Sequence, residues 1–229
     1  MHRNIKSAFN NRTVILIAIG GAMMVPMILF SAPGDASGSG ESDATIVDEW
    51  AAVKVPVAPE LKAVKVDAKV TALLILDIQN QNCNLERRPR CVASLPKIQR
   101  LLSAARSKGM LVVYSLTRNA SEADIRKEVA PLPGEPVVKS GVDKFFGTDL
   151  HNILKAKGIE TVIVVGTSAH GAVLHTATGA ALRGLEVIVP VDGMSSTETY
   201  AEQYTAWHLA NGPGTRRQTT LTRVGLITF

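Results

Sequence analysis

Four uninterrupted apolar runs dominate the chain from Val70 onward: VTALLILD from Val70, MLVVYSL from Met110, TVIVVG from Thr161 and EVIVPVD from Glu186. A strand with one wet face alternates apolar and polar residues. Runs without alternation predict strands buried on both faces, as in a parallel sheet covered by helices on either side. Hydrophobic residues make up 46% of the chain but aromatics only 4%, so the core must be aliphatic. Helical segments separate the runs. Ser94-Leu95-Pro96 opens one, with serine as cap and proline early, and Gly109 closes it. A second spans about Thr148 to Lys157 before Gly158, a third His170 to Arg183 before Gly184, and a fourth Glu198 to Leu209. A final strand is expected near Leu221 to Thr228. Strands alternating with helices predict a three-layer α/β sandwich.

The first 69 residues follow different rules. A basic start (Arg3, Lys6, Arg12) leads into an apolar run from Val14 to Phe30 and then into small and polar residues. This order is that of an export signal, with a cleavage site at Gly34-Asp35-Ala36, or of an uncleaved N-terminal anchor. The expected destination is the periplasm or the exterior, and any membrane contact runs through this segment alone. Pro33 to Ser42 (PGDASGSGES) has linker composition, and Asp43 to Lys69 reads as an extended arm. The division is therefore a signal or anchor over 1–36, a linker and arm over 37–69, and a folded domain over 70–229. The formal charge of +5 does not predict nucleic-acid binding. Three of the 25 bases but one of the 20 acids fall before residue 37, which leaves a nearly neutral domain without a basic stripe.

In parallel sheets the reacting groups collect beyond the carboxyl ends of the strands. That rule selects Asp77 after the first run, Thr117 and Arg118 after the second, and the turn Gly166-Thr-Ser-Ala-His-Gly-Ala172 after the third. Lys139 closes the apolar stretch Pro136-Val137-Val138. A carboxylate at the mouth of a buried strand is raised by burial and lowered by a neighbouring cation, so Asp77 suits proton transfer, with Lys139 as its counter-charge. By itself Asp77 could equally cap the following turn, and a lone lysine is usually solvated. A strand-to-helix turn aims backbone N–H groups at one point, which suits a developing oxyanion or simply close helix–sheet packing.

Three blocks resemble the isochorismatase-like hydrolases, also called cysteine hydrolases, over about 160 residues: LLILDIQNQNC, VVKSGVDKFFGTDLHNILKAKGIETVIVVG and VGTSAHGAVLHTATGAALRGLEVIVPVDG. The resemblance implies a three-layer α/β/α fold with a mostly parallel, roughly six-stranded Rossmann-like sheet. It implies Asp77 and Lys139 as the catalytic pair, and backbone N–H groups of Ser168 and Ala172 as an oxyanion hole. It also places a cis peptide at Thr167-Ser168. Where amidase members carry the nucleophilic cysteine, this chain has Ala172, whose methyl group cannot form an acyl-enzyme. True isochorismatases lack that cysteine too and carry an Ala-His pair like Ala169-His170; they hydrolyse a vinyl ether by protonation and water attack.

The remaining signals leave alternatives open. Gln79 and Thr117 are candidate substrate contacts, Gln79 either holding Asp77 or bonding local backbone. Phe145 lines the substrate or belongs to the core, and His170 faces the pocket or caps the helix. His151, His170, His175 and His208 show no paired metal-ligand spacing, so neither metal nor cofactor is expected. Cys83 and Cys91, the only cysteines, suggest a disulfide in an exported protein; the alternative is Cys83 as a displaced nucleophile. The expected function is hydrolysis of a small molecule by water assisted by Asp77 and Lys139, without a covalent cysteine intermediate. The alternative is a non-catalytic small-molecule-binding pseudoenzyme of the same fold. Apart from the small molecule, a second copy of the chain is a possible partner.

Overall fold

The computed structural model describes residues 43–229, so the signal or anchor expected over 1–36 and the PGDASGSGES linker up to Ser42 lie outside the described residues. Among the described residues no helix is long and apolar enough to cross a membrane. Residues up to Val53 form one unit, in which Thr45 and Asp48 close a turn before a short 3-10 segment, Trp50–Ala52. Lys54–Phe229 form the second.

The second unit contains nine strands and four α-helices among the described residues. In chain order these are β1 (Val64–Lys65), β2 (Thr71–Leu76), α1 (Pro89–Ser107), β3 (Leu111–Thr117), β4 (Val137–Ser140), α2 (Leu150–Ala156), β5 (Thr161–Thr167), α3 (Leu174–Ala181), β6 (Glu186–Pro190), β7 (Met194–Ser195), α4 (Thr199–Asn211), β8 (Thr219–Thr222) and β9 (Ile227–Thr228). The main sheet runs β4-β3-β2-β5-β6-β8 with every pair parallel, and the two-residue β7 extends the pairing of β5. The sheet is therefore the six-stranded path expected, with one short addition. From β2 the chain builds outward through β3 and β4 to one edge; from β5 it builds through β6 and β8 to the other. The crevice where an open parallel sheet binds ligands thus lies between the carboxyl ends of β2 and β5.

Side-chain alternation on the uniformly apolar strands feeds two cores. Leu73 and Ile75 of β2 pack with Leu95, Ile98 and Leu102 of α1 on one face. Ala72, Leu74 and Leu76 pack with residues of α2, α3 and α4 on the other, including Leu154, Ala177 and Leu209. These strands are buried on both faces because each face has its own helical layer.

Three expected boundaries move. α1 starts at Pro89 rather than Ser94, because a proline at the first helical position has no N–H to leave unsatisfied; Ser94 instead donates its hydroxyl to the Cys91 carbonyl at 2.7 Å. The helix after β5 begins as a wide π turn over Ala169–Val173 before α3. The last expected strand divides: β8 joins the main sheet, whereas β9 pairs in parallel with β1. That pairing ties the end of the arm to the domain, reinforced by Lys62 N–H donating to Leu221 O at 2.9 Å.

Cys83 and Cys91 form a disulfide that joins the loop after β2 to the first turn of α1, and both are fully buried. Closing so short a loop is worth about 2–3 kcal/mol in the chain-entropy account. The double variant Cys83→Ala/Cys91→Ala should lose about that much in urea denaturation, measured as a lower midpoint with a slope no smaller than the parent's, because the freed unfolded chain exposes at least as much surface.

Candidate active site

At the end of β2 the backbone turns sharply. Asp77 has φ of +51°, the sole non-glycine residue with positive φ among the described residues. Aspartate tolerates this left-handed conformation better than most side chains. The turn is held by Asp77 N–H donating to Ser115 O at 3.2 Å, on the neighbouring β3. The Ser115 hydroxyl donates to Asp77 Oδ1 at 2.8 Å.

The other carboxylate oxygen meets a lysine, but not the expected one. Lys144 Nζ donates to Asp77 Oδ2 at 2.7 Å and to the Gly141 carbonyl at 2.7 Å, and the lysine side chain is wholly buried. Lys139 is the correction. It lies inside β4, where Val138 and Ser140 point inward and Lys139 points to solvent at the sheet edge. Its charge acts on exposed Asp124, whose carboxyl is lowered first by hydrogen bonds from Ser121 and Gln81 and last by Lys139. Lys144 stands beyond the carboxyl end of β4, where the strand-end rule would have put the cation.

The loop between β4 and α2 explains the reach of Lys144. The Ser140 hydroxyl donates to the Asp143 and Phe146 carbonyls at 2.9 and 2.7 Å, folding the loop back on the strand end. Lys144 N–H donates to Thr176 Oγ1 of α3 at 3.2 Å. Phe145 is buried in the core with the Arg183 guanidinium 4.5 Å from its ring centre, so it anchors the loop and does not wall a pocket. With Phe145 pinned inward, its neighbour Lys144 is delivered to Asp77.

Burial pushes the Asp77 carboxyl above its ordinary value of 3.8, opposed first by the charge and hydrogen bond of Lys144, then by the Ser115 hydrogen bond and the charge of Arg88.

Across the crevice, β5 approaches β2 so closely that a Cβ on Gly166 would fall 2.1 Å from the Leu76 carbonyl oxygen, and its φ is +133°. Only glycine fits there. Thr167-Ser168 is a cis peptide, and the π turn that follows carries Ala169 to Val173. Ser168 and Ala172 line a cavity of about 290 Å³ together with Asp77, Arg88, Thr117 and Arg118. A larger cavity of about 480 Å³ is lined by Met194, by residues of α4 and by Val55 to Pro59, and holds none of these groups.

The other expected residues divide. Thr117 is in the cavity wall. Gln79 is buried but does not touch the carboxylate of Asp77: its Oε1 accepts from Thr117 Oγ1 at 3.1 Å and Asn82 Nδ2 at 2.9 Å, which braces two residues of the wall. His170 is exposed and bonded through Nδ1 to Ser196 Oγ at 3.0 Å, away from the cavity, because the π turn rotates it outward. Cys83 is spent in the disulfide, so the chain offers no free thiol anywhere. Among the described residues no group of three or more His, Cys, Asp or Glu side chains could hold a metal. Lys144, Arg87 and Arg88 were missed in the sequence. The first sits in the same quoted block as Lys139, and the arginines form a basic run, RRPR, between the cysteines.

A parallel sheet with a buried Asp–Lys pair at its central crevice defines a class of α/β proteins, and the comparisons specify which. The isochorismatase domain model matches residues 71–221, and the chain belongs to that family. N-carbamoylsarcosine amidase of an Arthrobacter species is 29% identical over 145 residues, covering 51% of this chain and 55% of that protein. Maleamate amidohydrolase of Pseudomonas putida is 30% identical over 126 residues, covering 44% and 59%. The chain thus spans somewhat more than half the length of these two relatives. An isochorismatase family protein from Desulfovibrio vulgaris has the same fold, with a TM-score of 0.62 at 21% identity over 69% of this chain and 95% of that one.

Removing the Lys144 charge strands a buried carboxylate, whereas Lys139 is on the surface. Lys144→Met should cost about 3–5 kcal/mol in urea denaturation, and Lys139→Met less than about 0.5 kcal/mol. Equal effects would show that the pair contributes no more than a surface charge.

The raised carboxyl also sets a sign. Between the ordinary carboxylate pKa and the higher native one, the folded protein holds a proton that the unfolded chain has lost. Stability attributable to Asp77 must then fall as pH rises through the window just above 3.8. Subtracting the denaturation profile of Asp77→Asn from that of the parent protein isolates this slope; a difference that rises with pH would contradict the shift.

Proposed function

We propose that the protein is a hydrolase of small molecules in which Asp77 moves the proton, Lys144 sets the state of Asp77, and water supplies the nucleophile. One observation carries the proposal: the buried Asp77–Lys144 contact opens on a cavity at the sheet crevice in a chain with no free thiol. A pair of buried charges is expensive to maintain for packing alone. Family membership and the names of the relatives, an amidase and an amidohydrolase, favour hydrolysis of a carbon–heteroatom bond.

The chemistry needs protons moved in both directions. For a carbonyl substrate, ionised Asp77 takes a proton from water as the hydroxyl oxygen bonds to the carbonyl carbon. Backbone N–H groups of Ser168 and Ala172 receive the developing oxyanion, and Asp77 returns the proton to the leaving group as its bond to carbon breaks. For a vinyl ether, protonated Asp77 first protonates carbon, and water then adds to the resulting cation as the Asp77 carboxylate takes its proton. Asp77 next protonates the ether oxygen as the C–O bond of the hemiketal breaks, and the hemiketal hydroxyl proton returns to Asp77 to leave a ketone and an alcohol. Lys144 assists both, because its fixed charge stabilises the carboxylate whenever that is the form required. Ala172 forms part of the wall and its methyl group supplies no nucleophile. We further propose that the protein is exported, consistent with the basic-apolar-small order of residues 1–36 and with the buried disulfide.

The test begins with the purified protein on a panel of amides, esters and vinyl ethers. On any substrate found, Asp77→Asn should lower kcat by about two to four orders of magnitude with the fold intact. Rapid-quench kinetics should show no burst, and hydroxylamine should trap nothing. A stoichiometric burst would overturn the water route, and absence of turnover across the panel would favour a binding role.

Ala172→Cys probes the same geometry independently. A thiol there shares the cavity with Arg88 and Arg118, so it should have a depressed pKa and react with iodoacetamide faster than free cysteine. Labelling no faster than free cysteine would place the turn away from the charges.

A further inference from the structure

The cavity beside Asp77 holds more positive charge than the proton chemistry uses. Arg87, Arg88 and Arg118 all line it, and its single carboxylate, Asp77, is already paired with Lys144. Arg90, Arg106 and Arg126 each form an ion pair with a glutamate, whereas other described arginines outside the cavity, such as Arg100 and Arg216, form none, so what distinguishes the cavity arginines is that they share one small space. No such pair involves Arg87, Arg88 or Arg118 among the described residues.

Their surroundings sharpen the contrast. Arg88 is half-buried and its Nε is fully buried without a hydrogen-bond partner, while its terminal nitrogen donates to Thr167 Oγ1 at 3.3 Å. Burial first, and then the adjacent Arg87 charge, lower its affinity for its own proton. Two like charges side by side in a partly desolvated wall destabilise the empty protein. Arg118 reaches in from the end of β3, with a terminal nitrogen 3.6 Å from where a Cβ on Gly141 would be. Three guanidiniums from two separate loops therefore line one small space whose single acid, Asp77, is bonded to Lys144 and attracts Arg88 only through charge. A bound oxyanion would satisfy them, and the planar fork of arginine matches a carboxylate.

We propose that the substrate carries a carboxylate, held by Arg88 at the inner wall and by Arg87 and Arg118 at the mouth, so that the scissile bond falls beside Asp77. This extends the hydrolase reading by naming its substrate class, and rests on that reading only in taking the Asp77 cavity as the site. The disulfide fits the proposal: residues between Cys83 and Cys91 include Arg87 and Arg88, so the covalent tie holds the repelling pair in place before anything binds.

Binding tests this without requiring turnover. Titration calorimetry on the full chain should show maleate or succinate binding at least about tenfold more tightly than the neutral succinamide, with affinity falling as salt rises. Arg88→Gln should weaken the dicarboxylate on the order of 10- to 100-fold and leave succinamide unchanged. Arg118→Gln should weaken it in the same direction, and because Arg118 is exposed this variant carries little folding risk. Lys139→Gln, which removes an equal charge outside the cavity, should bind as the parent does. Asp77→Asn should keep dicarboxylate binding while losing hydrolysis, which separates failure of the proton chemistry from failure of this inference. Equal affinity for diacid and diamide, or loss of affinity equally in Lys139→Gln, would overturn it. Inorganic phosphate binding more tightly than either dicarboxylate would overturn the assignment to a carboxylate.

Discussion

The contact between Asp77 and Lys144 organises the carboxyl edge of the sheet. An ion pair taken out of water must have its remaining hydrogen-bonding capacity satisfied, or its desolvation exceeds the attraction. Here Ser115 supplies a donor to the second carboxylate oxygen and the Gly141 carbonyl accepts from the ammonium. These partners come from the ends of β3 and from the loop after β4. The pair can form only if three adjacent strands end in register and the β4 loop folds inward. Burial of Phe145 and the hydrogen bonds of Ser140 meet that last condition.

The opposite wall depends on a second constraint, the close approach of β5 to β2 at Gly166. With no side chain there, the strands lie close enough for the turn over Ser168 to Ala172 to share a cavity with Asp77. The disulfide fixes the loop after β2 against the start of α1, and Arg87 and Arg88, which lie between the cysteines, line the same space. Proton transfer, oxyanion stabilisation and substrate anchoring, as proposed, are thus divided among the ends of different strands. The sandwich beneath them provides rigidity.

The proposed chemistry also accounts for what the site lacks. A thiol mechanism would need a free cysteine, and the two cysteines of this chain are joined in a disulfide. Burial raises the Asp77 carboxyl, and the neighbouring Lys144 opposes that rise. An anchoring charge on the substrate would compensate for the weaker nucleophile by holding the reacting bond in place.

Local patterns were enough for much of this protein. The four apolar runs, the glycines closing the helices and the paired cysteines identify a parallel three-layer sandwich with a disulfide, because burial periodicity and capping act over a few residues. They also bring out Asp77 and the Gly166–Ala172 turn, since strand ends are visible in the sequence. What they could not decide was which lysine meets Asp77. Lys139 and Lys144 lie five residues apart in one block, and the choice depends on which side chain the β4 edge exposes and how Phe145 folds the following loop. Nor could they reveal that Arg87 and Arg88 line the same cavity as Arg118. The outward turn of His170 and the core burial of Phe145 were equally hidden. Each of these depends on contacts between segments far apart in the chain, and only folding brings those segments together.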